Sequence, residues 1–323
     1  MAVSARYSVL LLGSMVFAQS VCAAELASYP TRPIRIIVPQ SPGASTDLTA
    51  RMVGQKLSEA FKQPVVIENR PGSSGIAGTE AVARASPDGY TLMVVASSFS
   101  INPALGRKLP YDAIKDFTTV SQLARFPNML AAHPSFPAKT LPEVIAAAKA
   151  KPGQISYASA GLATGTHMSA ELLRYMTGID LLHVPFRGGT PATTAAIAGE
   201  VQVLLAGGSS RPQVKAGYLR ALASTGRKRA SDFPDLPTIN EFYPGYVVEI
   251  WLGIFASSAT PQPIGATLQE LINSVVARSD YATKLNASGL EPLILTTAGF
   301  AEMIQQDYVR YGKLTKEIGI KLD

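Results

Sequence analysis

Glycines and small hydroxylated residues, rather than acids, bases or metal ligands, recur in this sequence where chemistry could be done. Ser73 and Ser74, Ser97 and Ser98, Ser159, Thr164, Thr166 and Thr190 all fall in loops that follow apolar runs. Gly43, Gly72, Gly75, Gly161, Gly165, Gly188 and Gly189 are interleaved with them. Hydroxyls and free backbone N–H groups donate hydrogen bonds, and the start of a helix adds partial positive charge, so such a set suits a carboxylate or a phosphate. A turn with positive φ accounts for any one of these glycines taken alone. Their recurrence at strand ends is what points to a site. Arg187 is the cation in these loops, fit either to pair bidentately with a carboxylate or to sit solvated at a rim. Asp47 falls in the first turn of a helix, where it stabilises the dipole; pointed inward, it would favour a ligand amine.

Reactive side chains do not assemble. There is no G-x-S-x-G elbow, the sole cysteine is Cys22 in the N-terminal segment, and the imidazoles are His133, His167 and His183. His167, beside Thr166 at an expected helix start, is the best placed to act as a base, although a His in the first helical turn is more often a packed or hydrogen-bonding residue. A hydrolase or isomerase using Ser or His in the same cleft is therefore the alternative to a binding protein. The histidines have no zinc spacing, no calcium loop is present, and neither a G-x-G-x-x-G register nor a G-K-[ST] occurs, so no metal or cofactor is expected.

The elements that must position these loops follow from the apolar pattern. Residues 34–38 read as a buried strand, 41–44 as a tight loop, and Ser45 as the N-cap of a helix with its stripe at Leu48, Met52, Val53, Leu57 and Phe61. Strands follow at 65–68 and 91–96, the latter emptying into a polar loop at 97–106. A second unit of the same design follows, with strands at 129–132, 155–158, 181–186, 201–206 and 219–224, and helices at 141–150, 167–176 and, after the loop 187–191, through Ala198. Closing helices at 263–278 and 281–287, a short strand at 291–295, and a last helix with Phe300, Met303, Ile304, Tyr308, Tyr311, Leu314 and Ile318 return to the first unit. Apolar segments near 119–126 and 248–256 read as two crossings, and hence a hinge. In mostly parallel sheets the polar loops at the carboxyl ends of strands meet in one crevice.

With 323 residues and 47% hydrophobic content, the chain is long enough for two cores. Arg6, the apolar run at 9–18 and the small residues Ala23 and Ala24 have the layout of a secretory leader over residues 1–24. A lipid anchor at Cys22 is disfavoured by the bulk of Val21. Removing the leader removes the cysteine, so the exported cores would hold without disulfides. The net charge of +6 is spread without a dense basic run among aromatics, which argues against nucleic acid as a partner.

Eight segments carry a family resemblance: YPTRPIRIIVP at 29–39, PGASTDLTAR at 42–51, ENRPGSSGIAG at 68–78, INPALG at 101–106, YASAG at 157–161, HVPFRGGTPATTAAIAGEV at 183–201, DLPTINEF at 235–242 and WLGIFASSATP at 251–261. In this order the chain resembles the Bug-type extracytoplasmic solute-binding receptors of tripartite tricarboxylate transporters. The resemblance implies an α/β two-lobed periplasmic-binding-protein (Venus flytrap) fold, each lobe a mostly parallel sheet flanked by helices. Lobe 1 would comprise residues 25–123 and 252–323, and lobe 2 residues 124–251. It further implies a periplasmic monomer that captures a small carboxylate without catalysis, metal or cofactor, with membrane transporter subunits or a sensor kinase as partners.

The family's mode of binding, through amides, hydroxyls and bridging waters, carries over to Pro42, Gly43, Ala44, Ser45 and Thr46, and then to Ser74, Ser97 and Ser98. In the second lobe it carries over to Ser159, Gly161, Thr164 and Thr166, and to Arg187, Gly188 and Gly189. Three departures bear on specificity. Ser41 stands where the family commonly has a bulky aromatic, Ala44 where a second glycine is usual, and residues 206–208 where an aspartate is often found. A plain carboxylic or aromatic acid is therefore expected over an acidic amino acid.

Overall fold

Strand β1 (Ile34–Val38) is apolar on both faces apart from half-exposed Arg35: Ile34, Ile36 and Val38 enter one core and Ile37 enters another. A strand buried on both sides must lie inside a sheet covered by helices. The computed structural model describes residues 29–319, and β1 there pairs in parallel with β2 (Val65–Asn69) and β3 (Thr91–Ala96). The leader expected over residues 1–24 lies outside the described residues.

Two five-stranded sheets share one plan. The first has the order β2-β1-β3-β10-β4, with β4 at Phe117–Pro127 and β10 at Glu249–Ser257. The second has the order β7-β6-β8-β5-β9, built from β5 (Met129–Ala132), β6 (Ser156–Ser159), β7 (Leu182–Pro185), β8 (Val203–Ala206) and β9 (Arg220–Ser224). In each sheet a single strand, β10 or β5, runs against the others. The sheets are thus mostly parallel, and the polar loops of each gather at one edge.

The crossings are the ends of these strands. Strand β4 runs in the first sheet to Pro127, and Asn128 alone separates it from β5; β10 rejoins the first sheet at Glu249, opposite Pro127. Buried Thr225 ties the two passages together: its amide donates to Asn128 O (2.9 Å), its carbonyl accepts from Val248 N (2.9 Å), and its hydroxyl donates to Val248 O (2.6 Å).

Several local expectations are corrected. Helix α1 (Ser45–Phe61) is preceded by Ala44 as N-cap, with no side-chain cap, because the Ser45 hydroxyl instead accepts the Ser209 amide of the other lobe at 3.0 Å. On the expected stripe Val53 and Leu57 are fully buried, whereas Leu48, Met52 and Phe61 are half-buried and Thr49 and Ala50 complete the inner face. The stretch after β3 is not a loop but a short helix, Ser98–Ala104, with Phe99 and Ile101 buried and Asn102 Nδ2 donating to Ser98 O at 2.8 Å.

No strand forms at 291–295. Glu291 makes one isolated bridge to Arg125, and Pro292 has no N–H to extend it. On the last helix, Thr297–Ile318, Tyr308 is exposed and Asp307 is buried instead, because Trp251 Nε1 donates to its carboxylate at 2.8 Å.

Candidate ligand-binding cleft

Three helices begin at the edge where the sheets face each other: α1, the helix Gly165–Thr177 and the helix Gly189–Ile197. Helix starts carry N–H groups with no partner inside the helix. Among the described residues, the amides of Ser45, Thr46, Gly165 and Thr166 have no acceptor. These ends, with the shorter helix at Ser98, surround an inner chamber of about 60 Å³ between the lobes. Its polar lining includes Gln40, Ser45, Ser97, Ser98, Asn128 and Thr166, and no described lining residue is ionisable.

The chamber contains buried polar atoms without partners. Ser97 and Ser98 are 0% and 2% exposed, and both hydroxyls lack a hydrogen bond. Asn128 donates its Nδ2 to Ser169 Oγ at 3.0 Å, leaving its Oδ1 unpartnered as well. An unsatisfied buried polar group costs about 1–3 kcal/mol, so three around one void mark a place finished by something else.

Next to this void lies an outer chamber of about 220 Å³, lined by Gly72, Ser74, Arg107, Gly161, Arg187 and Gly188 among others. The two chambers meet at Gln40, Ala160 and Thr164. Hydrogen bonds join the lobes around them. Ser41 Oγ donates to Arg187 O (2.6 Å), Thr190 Oγ1 donates to Pro42 O (3.3 Å), and Ser74 Oγ donates to Leu162 O. Ala163 and Met168 of lobe 2 pack on Ile101 and Tyr311 of lobe 1 beside them. This is a closed cleft.

The residues expected from the sequence divide into groups. Ala44, Ser45, Ser97, Ser98, Thr164, Thr166 and Gly189 line the inner chamber, while Ser74, Gly161, Arg187 and Gly188 line the outer one, as does Thr164. Pro42 and Gly43 are exposed at the rim, where Pro42 receives Thr190 and the Gly43 amide donates to Asp47 Oδ2 at 2.9 Å. Thr46 is buried, with its hydroxyl donated to Gln40 Oε1. Asp47 points into the protein and is fully engaged. Burial alone would raise its carboxyl, but bonds from Arg51, the Gly43 amide and Asn69 outweigh that and hold it below the usual carboxylate range. Gln40, Asn128, Ala160 and Ser209 also line the inner chamber. The sequence signal available for Asn128 was a lone amide between two apolar runs.

Ser159 lines neither chamber. It is wholly buried, and its hydroxyl lies 2.6 Å from His183 Nε2. The His183 ring stacks on Tyr157 (4.6 Å) and on His167 (4.5 Å). Behind them Glu171 accepts from Tyr157 (2.9 Å) and from Arg174 (3.0 Å). Burial, with Arg174 adding to it, lowers the His167 pKa to about 4; burial and then His167 lower that of His183 to about 4. A serine beside a neutral imidazole is the pairing of an activated nucleophile; Ser159 itself is wholly buried, whereas His167, His183, Glu171 and Arg174 line a separate pocket of about 530 Å³ that includes none of the residues at which the two chambers meet.

Fold and cleft define the class: a two-lobed periplasmic-binding-protein fold closed around a pocket. The family model described as the tripartite tricarboxylate transporter family receptor matches residues 49–320, and the chain belongs to that family. Protein BugT of Bordetella pertussis is 33% identical over 302 residues, 91% of this chain and 92% of BugT. The R. palustris protein Rpa4515, solved with adipate, superposes with a TM-score of 0.88 at 32% identity, covering 90% of this chain and 99% of that one. The periplasmic binding protein BugD superposes with a TM-score of 0.86 at 29% identity, covering 91% and 99%.

Proposed function

We propose that this chain is a periplasmic receptor that closes its lobes on the carboxylate of a small organic acid and presents it, unaltered, to a membrane transporter or a sensor. One observation carries the reading: the paired, unpartnered hydroxyls of Ser97 and Ser98 in a closed chamber ringed by helix starts. A carboxylate accepts several hydrogen bonds at once, and amides and hydroxyls in a water-excluded site hold it more strongly than they would in solvent. Ala44, Ser45, Thr46, Thr164, Thr166 and Gly189 complete the grip on the inner carboxylate. Pro42, Gly43 and Ser159 support it from outside. With no carboxylate among the described lining residues, a plain acid suits the chamber better than an amino acid.

Because β4 stays in the first sheet to Pro127 and β10 rejoins it at Glu249, lobe 1 takes the residues up to 127 and from 249 and lobe 2 those between, a few residues beyond the boundaries at 123/124 and 251/252 expected from the sequence, with the hinge near Asn128 and Val248. The ligand favours the closed state by binding it better than the open one, and the receptor acts as a monomer.

The test is a thermal shift of the purified protein against a panel of mono-, di- and tricarboxylic and aromatic acids, followed by recovery of the acid. A ligand at 100 times its Kd adds about 2.7 kcal/mol of stability, so at least one acid raises Tm by several degrees and is recovered intact. No shift with any acid, or a chemically changed acid, overturns the reading.

A further inference from the structure

Backbone strain in this protein is concentrated where the lobes touch. Among the described residues, four that are not glycine have positive φ: Lys62, Ser73, Ser74 and Ala163. Lys62 caps the end of helix α1, where a single left-handed residue is ordinary. The other three lie on the two sides of the lobe contact. Ser73 (φ 46°) and Ser74 (φ 57°) are consecutive and flanked by Gly72 (φ 138°) and Gly75 (φ 95°), so lobe 1 presents four positive-φ residues in a row. Facing them, lobe 2 presents Ala163 (φ 56°), two residues after Gly161 (φ 121°). Glycine enters this region freely; an L-residue does so singly and at a cost, because its Cβ crowds the following carbonyl.

Much of what holds the three in place comes from the opposite lobe. Ser74 Oγ donates to Leu162 O, and Ala163 is fully buried in a cluster with Ile101 and Tyr311 of lobe 1. Within lobe 1 the turn has two ties of its own, Gly75 N to Gly72 O at 2.9 Å and Asn102 Nδ2 to Ser74 O at 3.2 Å. A strained backbone persists only while its surroundings over-determine it. Parting the lobes removes the Leu162 contact from one turn and the Ile101 and Tyr311 contacts from the other in a single motion.

Resting on the hinged-receptor reading above, we propose that these two turns are a spring that opposes closure. They take up their left-handed conformations as the lobes meet and relax as the lobes part. The empty receptor therefore stays mostly open, a bound ligand offsets the strain, and the same strain drives reopening once the ligand leaves. The consequence is a reversal of the usual effect of glycine. Ser73 is exposed, so replacing it by glycine removes strain and little else, and the closed state gains.

Single-molecule energy transfer on the ligand-free protein tests this. Cys22→Ser removes the sole cysteine of the chain, and dyes are attached at Lys108→Cys in lobe 1 and Glu200→Cys in lobe 2, both exposed positions. The parent is mainly open. Ser73→Gly raises the ratio of closed to open molecules about fivefold, and Ser73→Val, whose branched side chain fits a left-handed turn worst, lowers it. Lys62→Gly, which relieves the same conformation away from the lobe contact, leaves the ratio unchanged. A parent that is closed without ligand overturns the proposal, as does a ratio that Lys62→Gly moves as far as Ser73→Gly. So does a ratio that Ser73→Gly fails to move, and a simultaneous gain in urea stability would then place the strain in both states alike. None of these results bears on whether an acid binds, which the carboxylate panel decides separately.

Discussion

Two polar regions of this protein lie back to back and are completed in opposite ways. In the cluster behind the cleft, Ser159, His183, His167, Tyr157, Glu171 and Arg174 stack on or hydrogen-bond one another, including both oxygens of Glu171, and of their buried side-chain atoms Arg174 Nε alone is left without a partner. In the inner chamber, Ser97, Ser98 and Asn128 keep polar atoms without partners although they are as deeply buried. The first arrangement stabilises lobe 2 whether or not anything is bound. The second destabilises the closed protein by about 1–3 kcal/mol per orphaned group, a cost that a carboxylate removes at Ser97 and Ser98 by accepting from both hydroxyls, whereas the acceptor Asn128 Oδ1 needs a donor. The difference separates the scaffold from the site better than residue type does, since serines and helix starts occur in both.

The largest effect expected is on closure itself. A Cβ on Gly165 would fall 1.9 Å from Ile250 Cδ1 and 3.2 Å from Ser97 Oγ. Gly165→Val therefore blocks the meeting of the lobes, and calorimetry should show acid affinity falling at least about 100-fold. Retained affinity would show that the cleft described here is not where the acid binds.

Next is Glu171→Ala, which strips partners from Tyr157 and Arg174. It should lower stability by about 2–4 kcal/mol in denaturant unfolding while leaving affinity nearly unchanged. Ser97→Ala and Ser98→Ala should do the reverse: each weakens acid binding about tenfold with Tm of the unliganded protein unchanged or slightly raised, because an unsatisfied buried hydroxyl is lost. If the serine variants lost stability and the Glu171 variant lost affinity, the contrast between the two regions would be wrong.

The scaffold was largely legible because apolar runs closed by Gly, Pro and Asn leave few ways to place a strand. Both sheets follow from such runs, and the lone antiparallel strand in each marks where the chain crosses. The chamber was legible only in part. A helix start announces its free amides locally, which is why Ala44 to Thr46 and Thr164 to Gly189 could be nominated. The direction of a hydroxyl is not local. Ser159 and Ser97 both end apolar strands, yet Ser159 turns back to His183, a partner set by the neighbouring strand, while Ser97 has none. Gln40 and Asn128 enter the cleft because of how the lobes meet, which no window of sequence contains. Arg107 follows a helix the sequence had as a loop, so its place opposite Arg187 was hidden for the same reason.

The smallest effect expected concerns the stacked histidines, and its sign discriminates scaffold from site. Both imidazoles have pKa values of about 4 in the folded protein, against about 6.5 in an unfolded chain. Between those values the unfolded chain binds more protons, so their contribution is complete above about pH 6.5, falls as pH drops toward 4, and is constant below that. The slope is at most about 1.4 kcal/mol per pH unit for each histidine. Unfolding of the wild type between pH 7 and pH 5, where most carboxylates remain ionised, should show this decline, and His167→Ala should reduce its slope. Affinity for the acid at pH 7.5 should meanwhile change by less than about threefold in His167→Ala, because His167 lines neither chamber. A large loss of affinity with no change in the pH slope would move His167 from the scaffold to the site and reopen the Ser159–His183 pair as chemistry.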